Sequence, residues 1–354
     1  MGKQTGKLIT LQPLTGIISR VLALSFTSWY QPRELRKVDI SLSQKRAEHD
    51  FEPDIAKLQD HATTNCPESS PNYEYERAVL ALAREFPFGD FENWEQCQQL
   101  LPCVQSLYER RACFGSTIAL SLAWGQILTN TAWYLWRQGY YQEAQKYVFD
   151  ALPLRQSVLG RDHEHTLITL EVATCILMSL DQHEEAEAFS RRALEGFRRT
   201  LGDKHPSTLT SVSNLALILH QQGRYEDAEI FGRWAMNGSR VVLGKLHADT
   251  LKSVSNLGLI LRQQGKYKEA TRLSKKAFDG FSSTIGKDHP STLTSMTNLA
   301  IILERRGKLR SSQALLWQAI FGKIRVLGVD HPSTLVSLSH VKGTKFVNTC
   351  DHSS

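Results

Sequence analysis

Leu209, Val212, Leu215, Ala216 and Leu219 fall at three- and four-residue steps, the spacing that gathers apolar side chains on one face of a helix. A second stripe follows at the same spacing: Tyr225, Ala228, Phe231, Ala235 and Val242. Pro206 stands just ahead of the first stripe, where its missing N–H costs nothing and its fixed φ suits a first helical turn. Gly223 closes that helix, which predicts a left-handed backbone there. Only Arg224 separates Gly223 from Tyr225, so the two helices are predicted to be antiparallel neighbours.

The pair recurs. Leu159-Gly160, Leu201-Gly202, Leu243-Gly244, Ile285-Gly286 and Leu327-Gly328 stand 42 residues apart. His163, His205, His247, His289 and His331 keep the same step, as do Thr166, Thr208, Thr250, Thr292 and Thr334. So do Ala151, Ala193, Ala235, Ala277 and Ala319. One helix pair cannot bury its own stripes, so a strict period of this length implies a stack with a continuous core. The repeated alanine marks a close approach of two helix axes. Ala235→Leu is expected to overpack it at a cost of roughly 1–3 kcal/mol.

The repeats vary. The first pair, about 117–138 and 141–158, lacks the His-Pro opening. The second replaces the closing glycine with Asp181 and the asparagine with Val172. The fifth has Leu309 for its tyrosine and Ser311-Ser312 for its Glu-Ala. A last half unit begins at His331.

Asn-Leu-Ala (Asn214–Ala216), Gln-Gly-x-Tyr (Gln222–Tyr225) and the alanines Ala228 and Ala235 at these offsets resemble the tetratricopeptide repeat (TPR). The opening Leu-Gly-x-x-His-Pro-x-Thr-Leu and the 42-residue length resemble the subclass of kinesin light chains and of the sensor arrays of STAND NTPases. The resemblance covers about residues 117–347, nearly two thirds of the chain. It implies an all-α, right-handed superhelical solenoid of antiparallel helix pairs whose concave groove holds an extended peptide, with the repeated asparagine bonding the ligand backbone. On that face lie Asn130, Trp133 and Arg137 in the first pair, and Asn214 and Gln221 in the third. Lys252, Asn256, Arg262 and Gln263 follow in the fourth, then Asn298 and Arg305 in the fifth. A carboxamide donates and accepts at once, so a row of them can pair with any peptide backbone. The basic residues add a preference for acidic ligands and Trp133 an apolar anchor. Alternatively, the asparagines serve contacts between repeats and the basic residues are merely solvated.

Ahead of the array, Tyr75, Ala78, Val79 and Leu82 predict a short helix over 73–86, ended by Pro87 and Gly89. Phe91 to Pro102 with further helix to about 113 resembles the stretch that leads into the repeats of STAND proteins. Residues 72–116 are thus expected to cap the array, 117–347 to form it, and 348–354 to fray. Residues 1–71 are expected to be irregular or marginally helical. Gly2–Lys7 superficially resembles a phosphate loop, but three residues separate its glycines where four are needed. Gly6 likewise breaks a myristoylation motif at Met1-Gly2. The apolar stretch 8–29 is interrupted by Gln12, Pro13 and Arg20, too broken to span a membrane.

A net charge of +6 with no long Lys/Arg run allows an acidic partner but does not argue for nucleic acid. The six cysteines follow no metal-ligand spacing and read as reduced and mostly buried, which suits a cytoplasmic protein. One histidine per unit cannot converge on a metal, so the repeated histidines read as turn residues. No nucleophile–base constellation is present, and no catalysis, cofactor or metal is expected. The expected role is a protein–protein interaction scaffold. Two alternatives stay open: a sensor remnant of a STAND NTPase, as a stand-alone adaptor or a truncated gene product, and a membrane-peripheral protein anchored through residues 8–29. The oligomeric state is not legible.

Overall fold

The computed structural model describes residues 71–110 and 117–343. The expectations for residues 1–70, for Cys66, Cys113 and Cys350 and for the tail lie outside them. The described residues form thirteen α-helices and one 3-10 turn, with no strand. Helix α1 (Pro71–Glu85) leads through an extended stretch and the 3-10 turn Phe91–Asn93 into α2 (Trp94–Arg110). Five antiparallel pairs follow: α3 (Ile118–Arg137) with α4 (Tyr141–Leu159), and α5 (Glu164–Ser179) with α6 (His183–Leu201). Then come α7 (Pro206–Gln221) with α8 (Tyr225–Val242), α9 (Ala248–Gln263) with α10 (Tyr267–Thr284), and α11 (Pro290–Arg305) with α12 (Leu309–Leu327). Helix α13 (Pro332–Gly343) ends the described array. The pairs stack in chain order into a right-handed superhelical solenoid.

Each recurrent residue has a local job. His163, His205, His247 and His289 are N-caps whose side chains accept the N–H two residues on. This satisfies one of the backbone donors that every helix start leaves unpaired. The threonines three residues later reach back: Thr166, Thr208, Thr292 and Thr334 donate through Oγ1 to the carbonyls of Gly160, Gly202, Gly286 and Gly328 at 2.7–2.9 Å. The turns before α5, α7 and α11, and before α13, where His331 accepts the Ser333 N–H, are therefore clasped from both sides. Ahead of α9, by contrast, Thr250 Oγ1 is buried without a partner among the described residues. Gly223 has φ +78°, as its closing position predicts, and Asp181 takes the same left-handed backbone at φ 59° without being glycine.

The inner stripe is buried as read, with Leu209, Val212, Leu215, Ala216 and Leu219 at most 1% exposed. Ala151, Ala193, Ala235, Ala277 and Ala319 are fully buried. The second stripe needs one correction. Val242 is 42% exposed because α8 ends there, and the buried face runs instead through Gly232 and Ser239. Ser239 shares its register with Arg155, Phe197, Phe281 and Lys323, all buried. The N-terminal helices share a core with the first pairs, in which Val79, Phe86, Cys97 and Val104 cluster with Ile127 and Leu128. Cys97 is buried, Cys175 is half-buried and Cys103 is exposed, so burial does not hold for all three described cysteines.

Candidate ligand-binding channel

The first helix of each pair faces inward, and together these helices surround a channel of about 840 Å³. The enclosure follows from the superhelical turn. His331, at the start of α13, meets the carbonyl of Arg137 at the end of α3. The channel is thus walled by helices from both ends of the array.

Asn214, Asn256 and Asn298, on successive inner helices, all line it, as do Trp133, Arg137 and Lys252. Each asparagine also ties its repeat to the one before. Asn256 Nδ2 donates to Ser213 Oγ at 3.1 Å and Asn298 Nδ2 to Ser255 Oγ at 3.3 Å. Asn214 Nδ2 donates to Glu171 Oε2. The reading of these asparagines as contacts between repeats therefore holds, and the same side chains also line the channel.

The other candidates lie elsewhere. Asn130 is buried, its Nδ2 donating to the carbonyl of Phe86 at 3.2 Å. Gln221 and Arg305 are exposed at the last turns of α7 and α11, outside the channel lining. Arg262 is half-buried, its pKa lowered chiefly by desolvation and next by the charge of Arg305. Gln263 lines a groove between α8 and the turn from α9 into α10, with Tyr225, Ile230, Arg233 and Lys266. That groove is laced by ion pairs, Arg233 bridging Glu229 and Glu269 while Lys266 meets Glu229.

The electrostatics of the channel are mixed. Lys252 is paired with Asp249 at 3.2 Å. The Arg137 guanidinium has no acceptor within hydrogen-bonding distance among the described residues. Its pKa is lowered by desolvation, against which the charges of Asp90 and Glu92 act. Glu171 is held in the wall, where desolvation raises its pKa to about 7 against the opposing pull of the nearby Ser211 hydroxyl and of Asn214, which donates to it. Cys175, one turn further along α5, is pushed up to about 12, first by burial and next by Glu171. No group of His, Cys, Asp or Glu among the described residues is placed to hold a metal ion.

The sequence reading missed part of this wall. Glu171 stands 42 residues before Ser213, so aligning the repeats would have exposed a carboxyl where the others carry a hydroxyl. Phe88, Asp90, Phe91 and Glu92 line the channel from outside the repeats, where no periodicity could locate them.

Residues 167–240 and 249–320 match one tetratricopeptide repeat model and residues 124–165 match another, together more than half of the chain. The chain belongs to the tetratricopeptide repeat family. No curated protein matches it. Among solved structures, NprR in complex with its cognate peptide NprX is similar with a TM-score of 0.60 at 14% identity, over 84% of this chain and 79% of that one. The apo form of the quorum sensor NprR from B. thuringiensis gives 0.52 at 14% identity, over 82% and 76%. Repeats of a putative kinesin light chain from Podosopora anserina give 0.45 at 23% identity, over 56% of this chain and 93% of that one. No helix among the described residues is long and apolar enough to cross a membrane.

Proposed function

We propose that this TPR solenoid is a non-catalytic interaction scaffold that holds an extended segment of a partner polypeptide in its channel. One observation carries the reading: Asn214, Asn256 and Asn298 present carboxamides on three successive inner helices to one open channel. Each spends one N–H on the preceding repeat and keeps a second N–H and a carbonyl for a ligand backbone. Such pairing is indifferent to ligand side chains, so specificity falls to the charged and aromatic groups of the wall. The Arg137 guanidinium, desolvated and with no acceptor among the described residues, favours a ligand carboxylate. Trp133 and Lys252 add an apolar surface and a second positive charge. NprR, which shares the fold, is described with a cognate peptide, which is consistent with this use of the channel.

The test is selection from a randomised peptide library on the full chain, beside the variant Asn214→Ala/Asn256→Ala/Asn298→Ala. Enrichment of acidic, extended peptides by the wild type and not by the helical, folded triple variant supports the reading. Enrichment indifferent to the asparagines contradicts it and favours a folded partner.

A further inference from the structure

We propose that the α3 face carrying Gln126, Asn130 and Trp133 is itself a peptide-reading surface, filled in cis by residues 86–90, and that a channel ligand competes with this strap. The proposal rests on the channel reading above.

The strap is bound in the manner of a ligand. Asn130 Nδ2 donates to the carbonyl of Phe86 at 3.2 Å, and one helical turn earlier Gln126 Nε2 holds the end of α1 that leads into the strap, at the carbonyl of Ala83, 3.2 Å away. Side-chain selection centres on Trp133. Its ring stacks on Phe88, with centroids 5.2 Å apart and planes at 26°, and its Nε1–H donates to Asp90 Oδ1 at 3.2 Å. One indole thus reads an aromatic residue and, two positions on, a carboxylate. Between them Gly89 passes so close that a Cβ there would lie 2.6 Å from Tyr134 Cα, so only glycine fits. The surface therefore specifies Phe-Gly-Asp with a carbonyl two residues upstream.

Asn130 shares its repeat register with Asn214, Asn256 and Asn298. The strap occupies at the first repeat the side-chain type that the later repeats turn to the channel. It then crosses the opening, where Glu92 Oε1 stands 3.5 Å from His289 Nε2 at the start of α11 and Phe91 meets the His289 ring edge-on at 5.2 Å. Asp90 and Glu92 are exposed, so these links are made at the surface rather than in the core. A segment tethered at both ends has a high effective concentration at its own site, so a free peptide of the same sequence cannot displace it until its contacts are weakened.

The experiment titrates a labelled peptide of residues 84–94 onto the full chain by fluorescence anisotropy. Wild type is compared with Asp90→Ala, with Phe88→Ala/Asp90→Ala, and with the double variant further carrying Trp133→Ala. Weak or absent binding to wild type, at least tenfold tighter binding to the strap variants and loss with Trp133→Ala support the proposal. Equal binding to all four, or none to Asp90→Ala and the double variant with their thermal unfolding still cooperative, overturns it. Should the double variant fail to fold, the exposed Asp90→Ala alone decides. The same variants are titrated with a library-selected channel peptide. Selected peptides that bind wild type and strap variants equally overturn the competition and leave the channel reading standing. Trp133-dependent capture of the strap peptide without any selected channel peptide sinks the channel reading and retains the α3 surface.

Discussion

His331 bonds to the carbonyl of Arg137, 194 residues earlier in the chain, with Nε2 and oxygen 3.0 Å apart. The same ring accepts the N–H of Ser333 at Nδ1, 3.1 Å away, so one neutral tautomer with its proton on Nε2 serves both bonds. The carbonyl it satisfies belongs to the last residue of α3, where helices leave acceptors unpaired. One imidazole thus caps α13 and α3 together and closes the superhelical turn around the channel.

Gly139 lies at that closure. Its φ is +89°, and a Cβ there would stand 2.5 Å from Pro332 Cδ, whereas at Gly223, with φ +78°, nothing lies within 4 Å. Both alanine variants carry the left-handed penalty of about 1 kcal/mol. Gly139→Ala must also push the closure apart, so it is expected to destabilise the protein clearly more than Gly223→Ala in urea unfolding. Equal losses would mean that the closure contributes nothing to stability.

Asp181 gives the opposite sign. It holds φ 59° at the turn that Gly139, Gly223, Gly265 and Gly307 occupy in the other pairs. Asp181→Gly removes the Cβ strain at the expense of a looser unfolded chain, for a net gain of up to about 1 kcal/mol. A rise in thermal midpoint is the expected result.

Glu171 supplies a pH dependence. Its folded pKa, raised from 4.5 to about 7 by desolvation, means that the folded state keeps a proton the unfolded state sheds between those values. This side chain therefore costs nothing below pH 4.5, and its penalty grows as pH rises to about 7, reaching on the order of 3 kcal/mol. Glu171→Gln does not titrate and keeps an acceptor for Asn214. The stability of Glu171→Gln minus that of wild type should increase from pH 4 to pH 8. A difference that stays flat across this range would show that Glu171 ionises in the folded state as freely as in water.

The helix pairs, their turns and the buried alanines were legible because each repeat states the same local pattern and neighbours contact neighbours. The asparagines were legible as a set and contacts between repeats as one of their uses, but their partners were not, because Ser213, Ser255 and Glu171 stand on the preceding repeat. The His331–Arg137 closure was invisible for a different reason. It arises from small rotations accumulated over five pairs, which no single repeat encodes. Residues 86–92 fall outside the period altogether, and only their packing on Trp133 and His289 reveals a role.

The central claim is that a partner segment lies inside the channel. It is tested most directly by photo-crosslinking a library-selected peptide to the full chain, with the crosslinking residue placed at Thr294 in the channel wall or at Ile230, which is 66% exposed in the groove between α8 and the turn from α9 into α10. The account predicts crosslinks from Thr294, competed by unlabelled peptide, and none from Ile230. Crosslinks from Ile230 with none from Thr294 would put the ligand outside the solenoid and contradict it.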